Sequence, residues 1–151
     1  MGSTAVKGWP ALKGREGVVL DTMVWIYLFE DHPRYAQACE RLVRAAADGV
    51  FSGIISPISI AELIVKPLQM GRTEIAERYR MAVHTMKGIT PRALDAEVGY
   101  MAGALRARYK RPLPDMLQAA MALREPAATL VTNDKNLCCV KELTVVMVSD
   151  L

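Results

Sequence analysis

The sequence predicts an α/β domain in which a parallel sheet is covered by helices on both faces. Two observations predict it. Short apolar, β-branched bursts alternate with longer stretches of helical periodicity, which is the pattern of strand–helix–strand units. The bursts are also apolar at consecutive rather than alternate positions, as strands buried on both sides are.

Taken in order, Val18-Val19-Leu20 reads as a buried strand that stops at Asp21-Thr22, and MVWIYLF starts a short helix. Pro33 opens a second helix with Tyr35, Cys39, Leu42 and Ala46 on one face, closed by Gly49. Ile54-Ile55 is the next strand. Ser56-Pro57 then gives an N-cap followed by proline at the first helical position. That helix carries Glu62 and is expected to run to about Lys66, where Pro67 breaks it. Thr73 caps another helix, with Ile75, Tyr79, Ala82 and Met86 as its stripe. Thr90-Pro91 repeats the cap-plus-proline pattern before Leu94, Val98, Met101 and Leu105. Pro112 and Pro114 end that region, and Asp115 begins a helix through Leu123. Thr129-Leu130-Val131 is a strand that exits at Thr132-Asn133-Asp134, and Thr144 to Val148 is the last strand. The expected division is a flexible N-terminal arm over 1–17 and one domain over 18–151.

Composition narrows the functional classes. A hydrophobic content of 52% in 151 residues supplies one core and argues against disorder. A net charge of +3 permits a nucleic-acid partner without demonstrating one. Cys39, Cys138 and Cys139 have no metal-ligand spacing, and the first residues lack the apolar run of a secretory leader. Both point to reduced thiols in a cytoplasmic protein. No uncharged stretch is long enough to span a bilayer.

Four carboxylates stand at the edges of apolar runs: Asp21, Glu62, Asp115 and Asp134. Glu62 is the only charged residue between Val50 and Val65. A carboxylate among core-forming residues is costly to bury without a partner. Asp21 and Asp134 directly follow strands, which places them at the carboxyl edge of the sheet, where open α/β folds bind ligands. Asp115 at a helix start and Glu62 two turns into its helix can approach the same edge. Each acid alone equally fits a cap or a loop carboxylate. Together they suit a hard divalent cation, Mg²⁺ or Mn²⁺, which prefers oxygen ligands and supplies a nucleophilic water for phosphodiester hydrolysis.

The residues resemble the PIN-domain family of metal-dependent nucleases, especially the VapC-type toxins of bacterial toxin–antitoxin pairs. VVLDTMVWIYLFE is similar to the family's opening strand and first acid, SPISIAELIV to its second acidic helix, ITPRALDAEVGYMAGALRARYKRPLPDMLQAAMAL to the long helix, loop and third acid, and TLVTNDKNL to the closing strand and fourth acid. The resemblance implies a three-layer α/β/α sandwich with a central, mainly parallel sheet. It also implies a Mg²⁺ or Mn²⁺ site on Asp21, Glu62, Asp115 and Asp134, cleavage of single-stranded or structured RNA, a homodimer, and inhibition by a small antitoxin. Two departures stand out. Met23 replaces the Asn or Ser often found two residues after the first acid, and Asn136 replaces a frequent Asp two residues after the fourth. They leave open a catalytically silent module that binds RNA or protein.

Arg106, Arg108, Lys110 and Arg111 can hold an RNA backbone beside Asp115 or simply suit a helix end. Thr22, Thr132 and Asn133 can bind phosphate or complete the backbone bonding where strands end. His32 and His84 lie away from the acidic motifs. A phosphatase with Asp21 as nucleophile wants an acid two positions later, where Met23 stands. A dinucleotide enzyme wants a GxGxxG that is missing.

Overall fold

In a computed structural model, which describes residues 8–151, the first strand β1 is Val18–Leu20. It is followed by helices α1 (Thr22–Phe29) and α2 (Ala36–Ala47), strand β2 (Gly53–Ile55), helices α3 (Pro57–Gln69) and α4 (Thr73–Thr85), and strand β3 (Ile89–Pro91). Helices α5 (Ala96–Tyr109) and α6 (Leu113–Arg124) come next, then strands β4 (Thr129–Thr132) and β5 (Thr144–Met147). The strands form a five-stranded sheet in the order β3-β2-β1-β4-β5, and every pairing is parallel.

Alternation along β1 builds the three layers. Val18 and Leu20 face one core with Trp25 of α1, Cys39 and Leu42 of α2, Leu63 of α3 and Val83 of α4. Val19 faces the other, with Val98, Ala102 and Leu105 of α5 and Met116 and Ala119 of α6. Successive strand side chains point to opposite faces, so a strand apolar at every position needs helices on both sides. Cys39 is fully buried, and burial pushes its thiol up to about 12, which fits inert packing.

Several expectations are corrected. Residues 8–17 are not an arm. Trp9–Ala11 forms a 3₁₀ turn, and Ala11 and Leu12 are buried in the first core at 1% and 0% exposure. The Gly14 N–H donates to the Val50 carbonyl at 2.8 Å, and the Ser52 N–H donates to the Arg15 carbonyl at 3.0 Å. Apolar Ala11-Leu12 packs into that core, where a polar tail would not. Positions 1–7 of the expected arm lie outside the described residues.

Pro67 does not end α3, which continues to Gln69 with the proline ring buried in its last turn. One N–H is missing there, close to a terminus where such groups are readily replaced. Thr90-Pro91 is not a cap but part of β3, an edge strand, where a proline removes no inward ladder bond. The cap of α5 is Asp95, whose carboxylate accepts from the Val98 N–H at 3.0 Å. Leu94 therefore precedes α5 and is exposed.

Candidate active site

β1 and β4 are neighbours at the centre of the sheet, and the chain reaches β2–β3 on one side and β5 on the other. That switch in direction opens a crevice at the carboxyl edge between them. Asp21 leaves β1 into it. Its N–H donates to the Val131 carbonyl at 2.9 Å, which extends the ladder by one bond. Its carboxylate caps α1: Oδ1 accepts from the Thr22 N–H at 2.8 Å, and Oδ2 accepts from the Thr132 hydroxyl at 2.7 Å. At 5% exposure this carboxylate persists only because its oxygens are bonded.

The other acids are aimed by their own elements. Asp134 follows β4; its N–H donates to Thr132 Oγ1 at 3.1 Å, and its Oδ1 accepts from the Asn136 N–H at 2.9 Å, capping a 3₁₀ turn over Lys135–Cys139. Asp115 lies in the first turn of α6, behind Pro112 at the cap and Pro114. Glu62 stands on α3, whose start is fixed by Ser56 accepting from the Ser59 N–H at 3.1 Å and by Pro57 at the first position.

All four carboxylates line one cleft of about 150 Å³, together with Thr22, Met23 and Gln118. No Lys, Arg or His lines it. Burial raises the pKa of Asp21, an effect opposed by the bonds from Thr132 and Thr22 and reinforced by the charge of Asp134. Burial also raises Glu62 and Asp115; the charges of Asp21 and Asp115 add to the first, and those of Asp21 and Asp134 add to the second. The acids thus feel one another across the cleft.

The fit of this pocket to a cation can be judged from its donors. They are oxygens, as hard divalent ions prefer, and no cationic side chain competes for them. Among the described residues, no group of three or more His, Cys, Asp and Glu side chains is drawn together tightly enough to hold an ion directly. An all-oxygen donor set suits an ion that keeps part of its water shell, as Mg²⁺ does. The cleft has room for several waters.

The neighbouring polar residues divide differently. Thr132 is fully buried, and its hydroxyl donates to Asp21. Thr22 lines the cleft at 7% exposure, with its Oγ1 2.9 Å from Ser59 Oγ. Asn133 faces away: its Oδ1 accepts from the Ser149 N–H at 3.2 Å. Arg108, Lys110 and Arg111 do not line the cleft. Arg108 pairs with Glu142 at 2.6 Å, and Lys110 is the left-handed C-cap of α5 with φ 56°. The Arg111 carbonyl accepts from Arg106 at 2.6 Å. His32 Nδ1 accepts from the N–H groups of Arg34 and Tyr35, closing the turn before α2. Trp25 is core, with its indole N–H donating to the Leu20 carbonyl at 3.1 Å.

Met23, marked in the sequence as a departure, lies in the site, and two further residues, Ser59 and Gln118, escape pattern reading. Met23 lines the cleft, and its sulfur accepts from the Asn133 N–H at 2.9 Å, so a thioether fills the place of a polar side chain. Ser59 and Gln118 are buried beneath the acids, with Gln118 Nε2 donating to Ser59 Oγ at 2.7 Å. Their signal was spacing: Ser59 is three residues before Glu62, and Gln118 three residues after Asp115, each on the same helical face.

The PIN domain family model matches residues 18–143. No curated protein shows significant similarity. Among solved structures, a chain of VapBC2 from Rickettsia felis bound to a DNA fragment from its promoter is similar over 87% of this chain and 98% of its own, at 20% identity and a TM-score of 0.72. A chain of a toxin–antitoxin complex from Klebsiella pneumoniae matches over 89% and 99%, at 22% identity and 0.67. One of DNA-bound VapBC from Salmonella typhimurium matches over 91% and 98%, at 19% identity and 0.62.

Proposed function

Because this chain belongs to the PIN domain family, we propose that it is a Mg²⁺- or Mn²⁺-dependent endoribonuclease and the toxin of a type II toxin–antitoxin pair. The observation that carries the reading is the cleft itself. Four carboxylates from four separate elements meet at the switch point of the sheet, and no positive side chain lines the space between them. Such a set is costly to the fold unless something positive enters.

Asp21, Glu62, Asp115 and Asp134 would hold the ion. The chemistry such an ion supplies is Lewis acidity: a nucleophilic water near neutral pH and neutralisation of phosphate charge. The chain's own contribution is placement. Thr132 and the Thr22 N–H hold both oxygens of Asp21, so this carboxylate cannot rotate away. Glu62 is exposed at the mouth, where an incoming strand would arrive. Lys110 and Arg111 flank the loop into α6 and are the proposed phosphate contacts, each adding salt-dependent affinity. Arg108 is less suited, since Glu142 already answers its charge.

The similar chains named above come from toxin–antitoxin complexes, and this chain exposes Val65, Leu68, Met70 and Met81 on or beside α3 and α4. Exposed large apolar side chains on neighbouring helices suit a protein contact, here a small antitoxin or a second copy. Among the described residues no helix is long and apolar enough to cross a membrane.

A catalytically silent binding module is the second reading, favoured by the separation of the acids. One experiment decides between the two: incubation of varied RNAs with purified protein and Mg²⁺ or Mn²⁺. Cleavage that stops with EDTA supports the nuclease. Cleavage that survives EDTA excludes the metal mechanism, and binding of both metal and RNA without cleavage supports the silent module.

A further inference from the structure

We propose that Gln118 is a positioning residue: its side-chain amide, acting through Ser59 and Thr22, fixes the relative placement of the three helices that carry Asp21, Glu62 and Asp115. The inference rests on the metal site proposed above and assigns that site its internal brace.

Gln118 is 1% exposed. Its Nε2 lies 2.7 Å from Ser59 Oγ, 3.3 Å from Thr22 Oγ1 and 3.4 Å from Asp21 Oδ1. Ser59 Oγ lies 2.9 Å from Thr22 Oγ1 and accepts from the Ser56 hydroxyl at 3.3 Å. The amide therefore ties α6 to the starts of α1 and α3 in one buried cluster. Each member is a near neighbour of an acid: Thr22 follows Asp21, Ser59 is one turn before Glu62, and Gln118 is one turn after Asp115. Moving any member moves a carboxylate.

The residue type fits this task and little else. An arginine or lysine would neutralise Asp21 and compete with a cation. An apolar side chain would pack there but leave Ser59, Thr22 and Asp21 without their shared donor. A neutral amide gives direction without charge. The ionised Asp21 carboxylate only accepts, so the NH₂ end must face it. The carbonyl end is then left over: Gln118 Oε1 is the only buried side-chain nitrogen or oxygen without a partner among the described residues. Such an atom is tolerated where a position holds other side chains in place.

The experiment measures Mn²⁺ affinity by calorimetry and metal-free thermal stability for wild type, Gln118→Met, Ser59→Ala and the double variant. Methionine keeps the volume and removes the amide. The expected result is Mn²⁺ binding about tenfold weaker in each single variant, as for partners that orient metal ligands elsewhere. The metal-free Tm of Gln118→Met should fall only modestly, because Ser59, Thr22 and Asp21 keep their other partners, and Mn²⁺ affinity is read well below the melt. The double variant should lose no more affinity than either single one, because both cut the same brace. Mn²⁺ affinity within twofold of wild type in both single variants overturns the proposal and leaves the nuclease reading intact. Should Gln118→Met fold poorly, Ser59→Ala decides on the same readout. Wild type that binds Mn²⁺ without cutting RNA removes the nuclease reading alone, and the affinity comparison still stands. Wild type that binds no Mn²⁺ overturns both.

Discussion

The acidic cleft gathers like charge from four separate elements and the basic end of α5 strings it along one stretch, Arg106 to Arg111, yet the fold treats the two in opposite ways. At the basic end each charge is answered locally or left in solvent. Arg108 meets Glu142 at 2.6 Å, Tyr109 donates to the same carboxylate at 2.6 Å, and Arg106 reaches the Arg111 carbonyl. In the cleft, by contrast, carboxylates gather with no cation among the lining residues, and burial pushes three of them up. Charge the fold neutralises can serve the fold. Charge it concentrates and leaves unanswered needs another explanation, and at a sheet's switch point that explanation is a ligand.

The largest test removes one unanswered charge. Asp21→Asn and Asp115→Asn should each lower RNA cleavage by about a hundredfold or more, the scale on which metal-site electrostatics act. The same variants should not melt earlier without metal at neutral pH. Neutralising one member of a repelling set relieves it, so Tm should hold or rise. A variant that loses activity together with stability would make the cleft an ordinary piece of structure.

Leu12→Ala provides the opposite kind of loss. Its side chain is fully buried in the core built on β1, so truncation should cost roughly 2–5 kcal/mol. Denaturant melts would show it. Mn²⁺ affinity measured well below the melt should be unchanged. If affinity falls too, the N-terminal segment and the cleft are coupled.

That segment also marks how far the sequence could be read. The sheet and the acids were legible because they depend on local patterns: β-branched runs, caps and carboxylates at strand exits such as Asp21 and Asp134. Leu12 was not, because a short apolar stretch after a glycine has no period, and only the core it packs into shows that it is needed. β3 was missed for a related reason. Thr90-Pro91 is locally indistinguishable from a helix start, and pairing with β2 decides the matter. In the site, Gln118 and Ser59 were hidden because a buried amide and hydroxyl acquire meaning only once three helices are brought together.

Saturating Mn²⁺ should shift the balance in the cleft by a measurable amount. An ion at a hundred times its Kd stabilises by about 2.7 kcal/mol, which for a domain of this size raises Tm by roughly 5–10 °C. The shift should depend on pH with a definite sign. The Asp21, Glu62 and Asp115 carboxyls are raised, so the folded protein holds their protons more tightly than the unfolded chain does. Their contribution to metal-free stability is therefore full below about pH 4, the ordinary carboxylate range, and is lost as pH rises through the raised values. Mn²⁺ binding runs the other way. Protons compete for the same oxygens, so affinity falls as pH drops, beginning above the usual carboxylate range. A Tm shift independent of pH from neutrality to below pH 5 would place the ion elsewhere.

The smallest expected effect lies on the basic side of the comparison and completes it. Arg108→Ala breaks an exposed ion pair with Glu142, and such pairs are worth about 0–1 kcal/mol. Cleavage should change less than about threefold, because Arg108 does not line the cleft and its charge is already engaged. Lys110→Ala and Arg111→Ala, whose charges make no ion pair among the described residues, should instead weaken RNA binding. Each should also flatten its salt dependence by about one phosphate contact. Equal behaviour of all three cations would mean that local neutralisation does not separate structural from functional charge here. A larger defect in Arg108→Ala than in the other two would mean that Glu142 releases it when RNA arrives.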